Sequence, residues 1–258
     1  MAASPPRTDN LMEGGTDPMG LRRWRAAGTQ ATIAFTLLAG GMAVPQQPDP
    51  AAIIRSVDAA VAYRFDNILG FTDTEHYAVY RGSDETHPVA EMTVKDTYTK
   101  GVGKTYTILS QSGSSLIIRF GLEPLLENEK TINLSGNVEK SWFNSANYDM
   151  KLKPGGIQKL NGRDCYAFAI APHQQAPNLI NGAMWVDVHD GTLVAIDGVS
   201  SKNPSMFSGK THLMRQYANI NGISMAMHAR AESESFLFGR TVVTIDYSNY
   251  NLQLKPNK

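Results

Sequence analysis

Between Ala51 and Ile68, the apolar residues Ile53, Ile54, Val57, Val61, Phe65 and Ile68 recur at three- and four-residue steps, the spacing of one face of an amphipathic helix. Asp49 is placed to cap this helix, and Pro50 suits its first turn, where a backbone N–H has no partner to lose. The apolar stripe needs another layer to cover it. From His76 onward the repeat shortens to alternation. Strands are expected over 77–81, 89–98, 104–111 and 115–120, followed by a short helix over 122–130.

The chain beyond Tyr148 alternates more regularly. Tyr166, Phe168 and Ile170 share one strand face, while Cys165, Ala167, Ala169 and Ala171 share the other, so one side carries bulk and the other is thin. Three pairs punctuate this half: Asn161/Gly162, Asp190/Gly191 and Asn221/Gly222. Two-residue hairpins need positive φ at both central positions, which Gly, Asn and Asp tolerate, so the pairs predict an antiparallel meander. A turn at Asn221 and Gly222 pairs Ile220 with Ile223, Ala218 with Met225 and Gln216 with Met227. Met214 falls on the same face. Met214, Ile220, Ile223, Met225 and Met227 are therefore the candidate ligand-binding residues, because thioethers are flexible, polarizable and accept varied apolar shapes. Met206 belongs to the same methionine-rich stretch. Arg215, Tyr217, Ser224, His228, Arg230 and Glu232 fall on the opposite, wet face. By the same counting, a tight turn at Asp190/Gly191 sets Trp185 beside Ile196 as a packing anchor.

Upstream of the helix the pattern is that of an export signal. Arg22, Arg23 and Arg25 precede an apolar run from Ala31 to Val44, and Gly41 and Ala43 supply small residues for cleavage after Ala43. Thr32 and Thr36 interrupt the run and leave it short for a membrane span; an uncleaved N-terminal anchor is the alternative. The residues before Met19 are rich in Pro, Gly, Ser and Asp, so Met1 and Met19 are both candidate initiators. Gly41 stands where lipid attachment would need a cysteine, so no lipid anchor is expected. The expected organisation is a leader over 1–43, a linker over 44–50 and one domain over 51–256, located in the periplasm or secreted.

Composition removes several function classes. Of 258 residues, 42% are hydrophobic and 19% charged, which suits a globular protein with a sizeable core. Lys plus Arg equals Asp plus Glu at 24 each, with no long block of either sign, so no footprint for nucleic acid is present. Residues 1–43 hold four of the arginines and three of the acids, which leaves the rest with a net charge near minus one. Cys165 is alone; it excludes an intramolecular disulfide and reads as a small buried strand residue. No Gly-x-Ser-x-Gly elbow and no Gly-rich phosphate loop occurs. His189 with Asp187 and Asp190 offers metal-ligand types, but Asp190 is needed by the turn, and His212 and His228 sit on neighbouring strands of the polar face. No catalytic residue, metal or cofactor is expected.

Asn147/Tyr148, the run LNGRDCY from Leu160 to Tyr166, GAMWVD from Gly182 to Asp187, the Arg215/Tyr217 strand with its Gly222 turn, and TIDYSNY from Thr244 to Tyr250 occur in an order that resembles the periplasmic outer-membrane lipoprotein-sorting carriers of the LolA/LolB type. The resemblance covers roughly 147–254. It implies a mainly β, α+β fold: an incomplete antiparallel β-barrel covered by short helices and enclosing an apolar cavity. It also implies a non-enzymatic carrier whose partners are lipoprotein acyl chains or lipid, with an envelope membrane protein as a further partner. The same half-barrel serves envelope sensors, so a sensor or interaction module is the alternative, and a small-molecule hydrolase the weaker one.

Overall fold

The computed structural model describes residues 49–203, 208–235 and 239–256. The leader, its cleavage site, both candidate initiators and Met206 lie outside the described residues.

Helix α1 (Pro50–Asn67) begins as its sequence asks: the Asp49 side chain accepts from the Ala51 N–H at 3.0 Å, and Pro50 occupies the first turn. It stops one residue short of the expected end, and Ile68 opens strand β1 (Ile68–Arg81). β1, β2 (Ala90–Thr99) and β3 (Gly103–Gly113) form a meander. The chain then leaves the sheet through α2 (Ser115–Ile117), a π-helical turn (Ile118–Leu122), α3 (Glu123–Ile132) and a 3-10 turn (Val138–Ser141). It returns as β4 (Tyr148–Leu152), β5 (Gln158–Leu160), β6 (Arg163–Pro172), β7 (Ile180–Asp187), β8 (Leu193–Ser200), β9 (Ser208–Ile220), β10 (Ile223–Ser235) and β11 (Gly239–Leu254). Along the sheet the order is β3-β2-β1-β11-β10-β9-β8-β7-β6-β4, with β5 paired to β6. All pairings are antiparallel, and β3 and β4 end the series without meeting. The sheet of 11 strands is thus an incomplete barrel, as the resemblance implies.

Residues 115–120 are helical, not a strand. The β-branched pair Ile117 and Ile118 suggests a strand locally, but Ile118, Leu122 and Leu126 are buried at four-residue steps, and Ser114 caps the Ile117 N–H. Tertiary burial overrides the local preference. These three side chains pack on Tyr77, Val79, Met92, Val94 and Ile245 of β1, β2 and β11. A second cluster joins Ile53 and Val57 of α1 to Tyr148, Phe168, Ile170, Met184, Val186 and Ile196. Burying those two α1 residues contributes about 3–6 kcal/mol, which holds the helix on the sheet.

Two of the three expected turns are tight hairpins. Asn161 and Gly162 have φ of 50° and 76°, and Asn221 and Gly222 have 53° and 82°. Asp190/Gly191 belongs to a wider loop, closed by the Asp187 N–H donating to the Thr192 carbonyl at 2.9 Å. A side chain at Gly191 would strike α1, its Cβ lying 2.7 Å from the Ser56 carbonyl oxygen. The wider loop, with a register shift after Trp185, pairs Trp185 with Ala195 and Met184 with Ile196. The expected Trp185/Ile196 pairing is therefore corrected: one residue of slip exchanges the faces. Trp185 lies opposite Ala167 and covers the thin face of β6, its indole N–H donating to Gln158 at 3.0 Å.

Candidate ligand cavity

A cavity of about 960 Å³ lies between the sheet and its helical cover. One rim is α1, which turns Ala59, Ala60 and Arg64 toward the space. The opposite rim is α3, whose Leu125, Asn128, Glu129 and Ile132 recur at helical steps and face inward. Trp142 and Phe143 follow the 3-10 turn into the wall, and Phe65 stacks on Trp142 with ring centroids 4.1 Å apart. The sheet supplies Ile180, Ile196, Leu213, Arg215, Tyr217, Ala226, Ala229 and Ala231. A smaller pocket of about 60 Å³ adjoins it at Arg64, Phe65, Phe71 and Tyr98.

The register of β9 and β10 decides which side chains reach this space. Near the turn it is the expected one, with Ile220 opposite Ile223 and Met225 opposite Ala218. Met227 then bulges. His228, not Met227, faces Gln216, and Arg230 faces Met214. The expected single oily face is therefore corrected, because one extra residue on β10 exchanges the faces beyond it. Arg215, Tyr217 and Ser224, assigned to the wet face from sequence, line the cavity. The five candidate residues part company. Met214 and Ile223 are cavity-lining. Ile223 and Met225 are buried in a satellite cluster with Ile68, and Ile220, Phe71, Tyr98 and Tyr250 pack against them. Met227 is 36% exposed.

Sequence reasoning missed the charged end of the cavity. Asp73, Glu75 and Asp96 are buried on the inner face, and Lys104 converges on them. Its ammonium is 2.9 Å from Glu75, 2.9 Å from Asp96 and 3.1 Å from Glu129. Tyr77 donates to the other Glu75 oxygen. Of the three carboxylates that could gather round a metal ion, Asp73, Glu75 and Asp96, the last two thus already bond an ammonium. Burial and the neighbouring Glu75 push the Asp73 carboxyl up to about 7, although Lys104 pulls the other way. One Asp73 oxygen is buried without a hydrogen-bond partner. The signal was parity: Asp73 and Glu75 share the alternation of Tyr77 and Val79, and Asp96 that of Met92 and Val94.

The His189 group does not converge. Asp187 accepts from the His189 N–H at 2.8 Å and from Arg163 at 2.8 Å, while Asp190 accepts from the Thr192 N–H at 2.9 Å. Burial favours a protonated Asp187, but these donors outweigh it and hold its pKa below the ordinary value. His212 pairs with Asp197 at 2.6 Å and His228 with Asp246 at 2.7 Å, each on its own strand pair. Cys165 is a buried free thiol whose pKa burial raises.

No protein-family model and no curated protein matches the sequence. Among solved structures, the chain is similar to a DUF1329 family protein from Desulfovibrio piger, at 15% identity over 81% of this chain and 96% of that one, with a TM-score of 0.42. It is also similar to a LolA superfamily protein from Nitrosomonas europaea, at 13% identity over 80% and 94% with a TM-score of 0.42. A domain from Vibrio parahaemolyticus named for outer membrane lipoprotein sorting gives 13% identity over 80% and 93%, with a TM-score of 0.43. These likenesses concern the fold alone. Among the described residues, no helix is long and apolar enough to cross a membrane.

Proposed function

We propose that this protein is a periplasmic carrier that binds the acyl chains of a lipoprotein or lipid, in outer-membrane lipoprotein sorting. The observation that carries the reading is the cavity of about 960 Å³, walled mainly by Val61, Phe65, Trp142, Phe143, Ile196 and Leu213. That volume lies near the upper end of the roughly 300–1,000 Å³ usual for small-molecule pockets. A chain burying about ten methylenes there would gain roughly 8 kcal/mol, enough to outweigh the ordering of a flexible ligand in part or whole. Met214 and Ile223, two of the five residues expected to touch ligand, line this cavity, which supports the reading. The sequence order that resembles the LolA/LolB carriers supports the same reading, as does the export-signal pattern expected to end at Ala43. The carrier reading asks no bond-making of any side chain.

Native mass spectrometry of protein recovered from an envelope fraction, followed by solvent extraction, tests it. Bound acyl lipid is the expected result. Trp142 supplies a second readout, since a chain in the cavity touches its ring: ligand should alter fluorescence in the parent and in Trp185→Phe, and not in Trp142→Phe. Protein that carries no lipid and binds no dodecyl-chain ligand would end the carrier reading. Intact mass of the same sample reports whether residues 1–43 have been removed.

A further inference from the structure

Two arginines on the cavity wall stand apart from the others. Arg163, Arg230 and Arg240 each bond carboxylates, at 2.8 Å to Asp187, 3.0 Å to Glu85 and 2.6 Å to Glu232 respectively. Arg64 and Arg215 line the cavity, and among the described residues neither forms an ion pair. Arg64 donates through Nε to the Ser224 carbonyl at 3.0 Å, and its guanidinium lies over the Phe65 ring at 4.8 Å. Arg215 has Tyr217 as its hydrogen-bonding neighbour, and Tyr217 also adjoins Arg64. Burial lowers the Arg64 pKa, and the positive charge of Arg215 adds a smaller effect in the same direction.

The carboxylates of the same space are otherwise engaged. Glu75, Asp96 and Glu129 converge on Lys104, and Asp190 bonds Arg163 and Thr192. Glu129 raises the Arg215 pKa through its charge, while its carboxylate bonds Lys104. A guanidinium presents five donors in a planar fork that fits a carboxylate or phosphate. Two such forks with spare donors, beside an apolar space, fit an amphiphile and not a neutral chain.

Resting on the carrier reading above, we infer that the cavity selects chains with an anionic head, a carboxylate or phosphate held between Arg64 and Arg215 beside Tyr217, with the chain running along Phe65, Trp142 and Leu213. An anion there accepts from guanidiniums that, among the described residues, no carboxylate of the protein pairs with, and it exchanges the weak Arg64 contact with the Met225 sulfur, at 3.8 Å, for a charged one. The chain supplies affinity and the head supplies choice.

The test is calorimetric titration of the full exported protein with laurate and with dodecanol, which share a chain and differ in the head. The parent should bind laurate about tenfold to a hundredfold more tightly, the range expected of charge-assisted hydrogen bonds. Arg215→Met and Arg64→Met should each shrink that ratio toward one. Arg215→Lys keeps the charge and should retain part of the preference; it also serves if Arg215→Met fails to fold. Equal binding of laurate and dodecanol by the parent overturns the inference and leaves the carrier reading standing. Binding of neither ligand overturns the carrier reading itself. Inorganic phosphate that binds as tightly as laurate would reveal a free-anion site, and it too overturns the inference.

Discussion

Asp73→Asn should make this protein more stable at neutral pH, and the gain should grow with pH. Asp73 is 3% exposed, faces Glu75 and Asp96, and has one oxygen with no hydrogen-bond partner. Lys104 and the Tyr250 hydroxyl are the groups that favour its charge, and they do not outweigh burial. Its carboxyl is held near 7 in the folded protein against 3.8 in a free chain. Below about pH 4 both the folded and the unfolded chain keep this proton, and the residue imposes no penalty. Between there and pH 7 the unfolded chain releases the proton while the folded one retains it, so stability is lost as pH rises through this window. The rise from 3.8 to about 7 corresponds to on the order of 4 kcal/mol once complete.

Asparagine keeps the shape and cannot ionise. Urea unfolding of parent and variant at about pH 4, 6 and 8 measures the difference directly. It should be near zero at the lowest pH and should approach a few kcal/mol in favour of the variant at the highest. Taking the difference between the two proteins cancels the other titrating groups, Glu85 and Glu232 among them, whose pKa values their arginine partners lower. A difference that stays flat with pH, or a variant that loses ground as pH rises, would refute the burial argument.

Arg163→Met leaves Asp187 buried beside the loop it anchors and should cost about 3 kcal/mol in urea unfolding, since breaking one side of a buried pair strands the other. Gly162→Ala meets open space at positive φ and should cost about 1 kcal/mol. Gly191→Ala meets the Ser56 backbone as well, and should cost at least about 1–3 kcal/mol more in the same assay. Met225→Asp puts a carboxylate into a packed cluster and should lower the thermal midpoint sharply, whereas Met227→Asp, at an exposed bulge, should change stability by no more than about 0.5 kcal/mol and leave chain binding intact.

What the sequence disclosed was local. The cap at Asp49, the helical steps from Ile53 to Val61 and the Asn-Gly turns each depend on a few adjacent residues, and each is where the pattern put it. The first half of β1 was overlooked because its inner positions are Phe71, Asp73, Glu75 and Tyr77. Two acids at core positions break the alternation by which a half-buried strand is recognised. Glu75 is tolerable there because Lys104, on a strand two places away in the sheet, reaches it together with Asp96, and that convergence is invisible in a local window. The helical turn at Ser115 was missed for the converse reason: its local residues favour a strand, and its covering role is a matter of tertiary burial.

The cavity wall turns on the single bulge at Met227. Before it, Ile223, Ser224 and Ala226 are the β10 residues that reach the space; after it, Ala229 and Ala231 are. Without the extra residue the alternation would carry Arg230 and Glu232 toward the cavity. With it, Arg230 bonds Glu85, and Glu232 bonds Arg230 and Arg240. The bulge therefore keeps three alanines of one strand on the cavity wall, which Ala59 and Ala60 of α1 also line, and small side chains from both sheet and helix leave room between them. A strict two-residue count cannot find such a site, because the count itself changes where the cavity is built.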